Sequence, residues 1–204
     1  MSGIVAQNLG RHTGLVKASS AGGVWNLIKT YTASGDADLS FVGGTDGVDF
    51  TAYDEFVFKF NDVHPEVTQR RITFQVDTGT NTNYNQTITS TYFNAFHYEN
   101  DSSTSLVYET AKDLAQSTSF QMLGRRVGND NDQQISGTLK IFNPSSSTFV
   151  KHFIATMNEA HYSDIAFNNY IAGYFNTTTA LTRFQFKMSS DEIDAGTISL
   201  YGIS

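Results

Sequence analysis

From Trp25 to its last residue the chain reads as short runs in which apolar and polar positions alternate. Phe56, Phe58 and Phe60 alternate with Glu55, Val57 and Lys59; Ile72, Phe74 and Val76 alternate with Arg71, Thr73 and Gln75. Thr182, Phe184, Phe186 and Met188 do the same against Arg183, Gln185 and Lys187. An extended backbone turns successive side chains to opposite faces, so each run predicts a strand with one buried face. The same reading places strands over 24–32, 86–98, 104–110, 118–123, 137–142, 149–157, 161–167, 170–175 and 197–203. Turn chemistry separates them at Gly43-Gly44, Asp46-Gly47, 61–65, 78–83, 128–132, Asn143-Pro144 and 189–196.

With only two prolines and one short helical candidate, Thr110–Gln116, this spacing predicts an all-β fold. The expected form is a single jelly-roll-like β-sandwich of about 8–10 antiparallel strands. No heptad run or internal repeat is present, so the chain carries no coiled-coil shaft. The closing FQFKMSSDEIDAGTISLYGIS, residues 184–204, reads as strand, turn and strand. A terminus this apolar must be paired to stay ordered. Its last strand is expected beside the strand that starts at Trp25, or beside a neighbouring subunit. Ile198, Leu200, Tyr201 and Ile203 are therefore the candidate terminal-strand or subunit-interface residues. Trp25, the sole tryptophan, is expected to be buried near the domain edge.

Residues 1–23 differ from the rest of the chain: five glycines, small residues and no sustained periodicity. They read as an extended N-terminal arm, with the β-sandwich domain spanning 24–204. Ile4, Val5, Leu9, Leu15 and Val16 are its candidate docking residues, placed either to patch the domain's own sheet or to lie along a neighbour.

Composition narrows the chemistry. Charged residues make up 16% of the 204, against about 25% in an ordinary soluble domain. The polar surface must then come from Ser, Thr, Asn and Gln, a mix suited to strand faces in contact with other proteins. The net charge of −7, with no basic run longer than Arg70-Arg71 or Arg125-Arg126, predicts no nucleic-acid partner. No apolar run is long enough for a membrane span, and Met1–Gly23 lacks the apolar centre of a secretory leader. The expectation is a soluble chain made in a cytoplasm.

The absence of cysteine excludes disulfides, thiolate metal sites and cysteine nucleophiles. His12, His64, His97, His152 and His161 show no ligand spacing, although His97 and His152 lie in strands that could bring them together. GNDNDQQ, 128–134, imitates a calcium loop but has no glycine at its sixth position and Ile141 at its twelfth, so it reads as a solvated hairpin tip. Neither GxSxG nor a phosphate-binding GxxxxGK[ST] occurs. The reading is of a non-enzymatic chain with no catalytic residue, metal or cofactor.

The closing KMSSDEIDAGTISLYGIS resembles the end of a family of virion structural proteins from marine tailed phages of the cyanophage and pelagiphage type. WNLIKTYTASGDADLSFV (25–42), YDEFVFKFNDVHPEV (53–67), DLAQSTSFQML (113–123), SGTLKIFNPSSSTFVKHF (136–153) and AGYFNTTTAL (172–181) resemble the same family in the same order. The resemblance implies a virion protein assembled in the host cytoplasm: a homo-oligomer, expected to be a trimer, that also contacts other capsid or tail proteins. The short arm and absent shaft favour a capsid decoration (cement) protein or head-fibre knob docked through residues 1–23. The alternative is a tail-fibre or tail-spike tip that binds a host surface glycan.

Overall fold

The computed structural model describes residues 24–204, so the docking residues expected at Ile4, Val5, Leu9, Leu15 and Val16 lie outside the described residues. Twelve strands follow one another: β1 (Trp25–Thr32), β2 (Leu39–Val42), β3 (Glu55–Pro65), β4 (Ile72–Thr78), β5 (Ile88–Tyr98), β6 (Thr104–Tyr108), β7 (Gln121–Met122), β8 (Ile135–Phe142), β9 (Lys151–His161), β10 (Ile165–Phe175), β11 (Leu181–Met188) and β12 (Ile193–Ile203). They form two antiparallel sheets packed as a sandwich, in the orders β1-β12-β3-β8-β9-β10-β5-β6 and β2-β11-β4-β7.

The connectivity explains the unequal widths. β1, β12, β3 and β8 in one sheet and β2, β11, β4 and β7 in the other, with the chain crossing from sheet to sheet between them, give the two-Greek-key order of a jelly roll. Two hairpins, β5–β6 and β9–β10, are inserted into that frame, and both join the first sheet. One sheet therefore has eight strands and the other four. Phe74 of β4 packs on Phe153 of β9 and Phe175 of β10, and Gln121 of β7 accepts from Ser90 of β5, so the narrow sheet covers one end of the inserted strands, and their other ends, at Phe96–Tyr98 and Ile165–Phe167, overhang it.

The period-two runs point where the alternation places them. Phe56, Phe58 and Phe60 of β3 face Phe184 and Phe186 of β11, with no exposure beyond 1%. Phe186 touches the rings of Phe41, Phe58, Phe60 and Phe74 at centroid distances of 4.9–6.2 Å. Most of these pairs are edge-to-face, which sets the positive ring edge against the negative face.

Several expectations are corrected. The runs 161–167 and 170–175 join from Ile165 onward into one strand, β10, because Asn168 and Asn169 stay in the ladder with β5 and β9, while His161 ends β9 and 162–164 turn between the two strands. β2, a strand of four residues, escaped the period-two reading because so short a run shows too little alternation. Thr110–Gln116 is turn and irregular backbone rather than helix. β4 is buried on both faces: Gln75 Nε2 donates to the carbonyls of Gln86, Thr118 and Ser119 at 2.9–3.2 Å, and Asp77 accepts from the Tyr84 amide at 2.9 Å. Loops thus lie over the outer side of the narrow sheet, and its polar side chains serve those loops' backbone.

The final strand is paired as expected. β12 lies between β1 and β3, with Trp25 opposite Ile203 and Phe58 opposite Leu200. A register shift near Gly196 (φ +100°) bends the strand; a Cβ there would collide with the Asp62 carbonyl oxygen, so only glycine fits. Ile198 and Leu200 are terminal-strand residues whose side chains point between the sheets into the core. Tyr201 and Ile203 take the opposite phase and reach the outer face, half-buried. Trp25 is not buried: it is 46% exposed on edge strand β1, with its ring tilted against Tyr201 at 5.4 Å.

Candidate functional site

Two features of the sandwich bear on function: the uncovered outer face of the wide sheet and a cavity beneath its overhang. On the outer face the phase opposite to the core presents Thr91, Phe93, Ala95 and His97 from β5, His152, Ile154, Thr156 and Asn158 from β9, and Tyr170 from β10. Phe93 and Tyr170 stack across the β5–β10 register at 5.0 Å and 12°. Leu106 (70% exposed), Leu27 (60%), Ile154 (49%) and Phe93 (40%) carry the apolar area outward. Charge is sparse there, since Lys140 is paired with Glu55 at 3.0 Å. His97 and His152 do not meet. β10 separates their strands, and the two stand opposite Ala166 and Tyr174, at different heights along it.

The cavity, about 540 Å³, lies where the overhanging ends of β5, β6, β9 and β10 meet the connection from β7 to β8. Its apolar walls are Phe96, Val107, Ile165 and Phe167, with Tyr98 and Tyr162 beside them. Arg71 enters from the start of β4, Arg125 and Arg126 from the β7–β8 connection, and Lys112 from the turn after β6. Four cations of a chain with only 13 Lys and Arg thus converge on one cavity of an acidic protein.

One buried carboxylate, Glu159, and one half-buried, Glu109, hold this rim in place. Glu159 keeps the inward phase of Phe153 and Met157 on β9 and is 1% exposed. Its Oε1 accepts from the Arg126 amide at 2.7 Å, and its Oε2 accepts from the Arg125 amide at 2.5 Å and from Asn169 Nδ2 at 3.2 Å. Burial raises its carboxyl above the ordinary value, opposed by those amide hydrogen bonds and by the Arg125 charge. Glu109 is pulled down overall: burial raises it, and Lys112 at 2.5 Å, Asn94 at 3.0 Å and Arg125 at 3.0 Å outweigh that.

Arg125 and Lys112 are paired with Glu109, and the Arg125 guanidinium also covers the Phe167 ring at 4.6 Å. Neither Arg71 nor Arg126 forms an ion pair among the described residues. Burial, followed by the charge of Arg126, lowers the Arg71 pKa. Arg126 lies against Tyr162, whose phenol is lowered by Ser163 and Arg126.

His161, at the end of β9, has its Nδ1 accepting from the Ser163 amide at 3.2 Å. That bond requires an unprotonated Nδ1. Burial, then Arg125 and Arg126, push its pKa from 6.5 down to about 4. A depressed histidine stabilises the fold above 6.5 and loses that contribution as pH falls toward about 4. Wild type should therefore lose more denaturant resistance than His161→Asn between pH 7 and pH 4. Parallel urea-midpoint profiles of the two proteins would contradict this placement.

Sequence reading found none of this as a site, having weighed Arg125-Arg126 only as a weak basic pair. The available signal was Glu159: a carboxylate in the apolar phase of a strand must be served by buried donors. Among the described residues no group of three or more His, Asp or Glu is arranged to hold a metal ion. No protein family, no curated protein and no solved structure matches the chain.

Proposed function

We propose that the protein is a non-enzymatic virion structural protein that assembles with copies of itself through the outer face of its wide sheet, as a capsid decoration protein or head-fibre knob. The observation that carries the reading is that face: eight strands wide, poor in charge and studded with exposed Leu27, Phe93, Leu106 and Ile154. Eight strands at 4.8 Å spacing with a length of up to eleven residues span roughly 1,000 Å², enough for the ~800 Å² per partner of a standard interface. A second copy is the occupant that suits it. Copies of a chain of net charge −7 repel one another overall, a repulsion that is weakest across a neutral surface, and threonine, asparagine, alanine and aromatic side chains supply that surface here. The resemblance of six ordered segments to phage structural proteins supports the virion setting, with residues 1–23 as the docking arm, assembly in the host cytoplasm and a trimer as the expected state.

The expected result is an oligomeric mass for the full chain by light scattering at micromolar concentration. Leu106→Glu with Ile154→Glu should convert it to monomer with an unchanged β spectrum. A monomeric wild type, or an oligomer indifferent to both charges, would overturn the reading.

The cavity beneath the overhang favours a second reading of the same fold, a tail-fibre or tail-spike tip that binds carbohydrate on a host surface. Its volume lies in the range of small-ligand sites, and aromatic and polar side chains converge on it. Purified protein should then compete with particles for adsorption to the host.

A further inference from the structure

We propose that the cavity bounded by Arg71, Arg126, Phe96, Tyr98 and Tyr162 is a binding site for an acidic sugar, one pyranose ring bearing a carboxylate. The inference rests on the carbohydrate reading for the body of the ligand, and on the arginines for its charge.

The cations of the cavity are incompletely paired. Glu109 shares its one charge between Arg125 and Lys112, and Glu159 commits its oxygens to the Arg125 and Arg126 amides and Asn169. Two guanidiniums, Arg71 and Arg126, remain at the same cavity without an ion pair among the described residues; Glu159 acts on Arg71 only through space, and the two guanidiniums are close enough to repel one another. A planar carboxylate is the group a guanidinium fork fits in two parallel hydrogen bonds, and partial desolvation strengthens each. One bound anion relieves the repulsion and pairs both cations.

The body of the ligand follows from the walls. Phe96, Tyr98 and Tyr162 offer aromatic surface to the C–H face of a pyranose, while the Tyr98 and Tyr162 hydroxyls and Ser163 offer hydrogen bonds to its hydroxyls. A bare inorganic anion would pair the arginines and leave this apolar lining unused. One inward position deeper along β5 and β10, Asn94 Oδ1 and Asn169 Oδ1 have no hydrogen-bond partner among the described residues, and neither has Tyr92 Oη one position further on β5. Polar capacity beyond what the fold uses thus lies on the strands that build the cavity.

Calorimetric titration of the full chain with D-glucuronate, D-glucose and sodium sulfate tests this. Glucuronate is expected to bind with a Kd below about 1 mM and at least tenfold tighter than either glucose or sulfate. Arg71→Gln and Arg126→Gln, each folded by its thermal transition, should weaken glucuronate at least tenfold, and Lys59→Gln on the outer face should leave it unchanged. Equal binding of glucose and glucuronate would overturn the acidic-sugar inference and leave the carbohydrate reading standing. Sulfate binding as tightly as glucuronate would overturn it in favour of a plain anion site. Failure of both sugars would overturn the inference and the carbohydrate reading together.

Discussion

Glu159→Ala is expected to lower the unfolding free energy by about 3–5 kcal/mol, the cost typical of removing one member of a buried charged network. The carboxylate is 1% exposed and receives three hydrogen bonds, two from consecutive backbone amides. Without it, the Arg125 and Arg126 amides and the Asn169 side chain lose their acceptor in a space closed to solvent. Each stranded donor costs about 1–3 kcal/mol. Arg125 also loses a nearby negative charge while remaining beside Arg126 and Arg71. Glu159→Gln separates charge from shape: it keeps one acceptor oxygen but turns an NH₂ toward an amide donor, so its loss should be intermediate. Urea unfolding at pH 7 measures all three proteins. A loss under about 1 kcal/mol for the alanine variant, within the range of an ordinary surface change, would mean that the β7–β8 connection is held by something else.

The second large effect belongs to the core. Phe186→Ala should cost about 3–5 kcal/mol, the usual range for emptying a buried aromatic site. Phe186 has no exposure and touches Phe41, Phe58, Phe60 and Phe74, rings from both sheets. Strand ladders hold those rings on both sides, so they cannot collapse into the space, and the cavity cost is felt nearly in full. Phe186→Leu, which refills most of the volume, should recover more than half of the loss. Equal midpoints for the alanine and leucine variants would show that this part of the sandwich repacks freely.

Much of the frame was legible because burial of one strand face imposes period two. β3, β4, β11 and the closing β12 were read from phenylalanines and isoleucines at alternate positions, and the pairing of β12 with the strand at Trp25 followed from the need to cover an apolar terminus. Trp25 itself was misplaced, because an edge strand exposes residues whose composition looks buried. For Ile198 and Leu200 the terminal-strand and subunit-interface readings stood side by side, because apolar alternation does not say whether the neighbour is the chain's own sheet or another copy; both are buried in the core. Gln75 and Asp77 looked like solvent-facing positions and are buried, since the loops that cover them come from 79–87 and 113–120.

Alternation, turn residues and the absence of heptads are local properties, and they were enough to specify a β-sandwich closed by its last strand. They could not specify that the hairpins β5–β6 and β9–β10 both extend one sheet, which emerged with the three-dimensional fold. That choice is made by pairing between strands distant in sequence, and period two carries no information about which sheet a strand joins. It leaves an overhang, and the overhang brings Arg71, Lys112, Arg125 and Arg126 from three separate connections onto one cavity. Residues that look like scattered surface charges become a site because buried Glu159 and half-buried Glu109 fix where their backbone and side chains can lie.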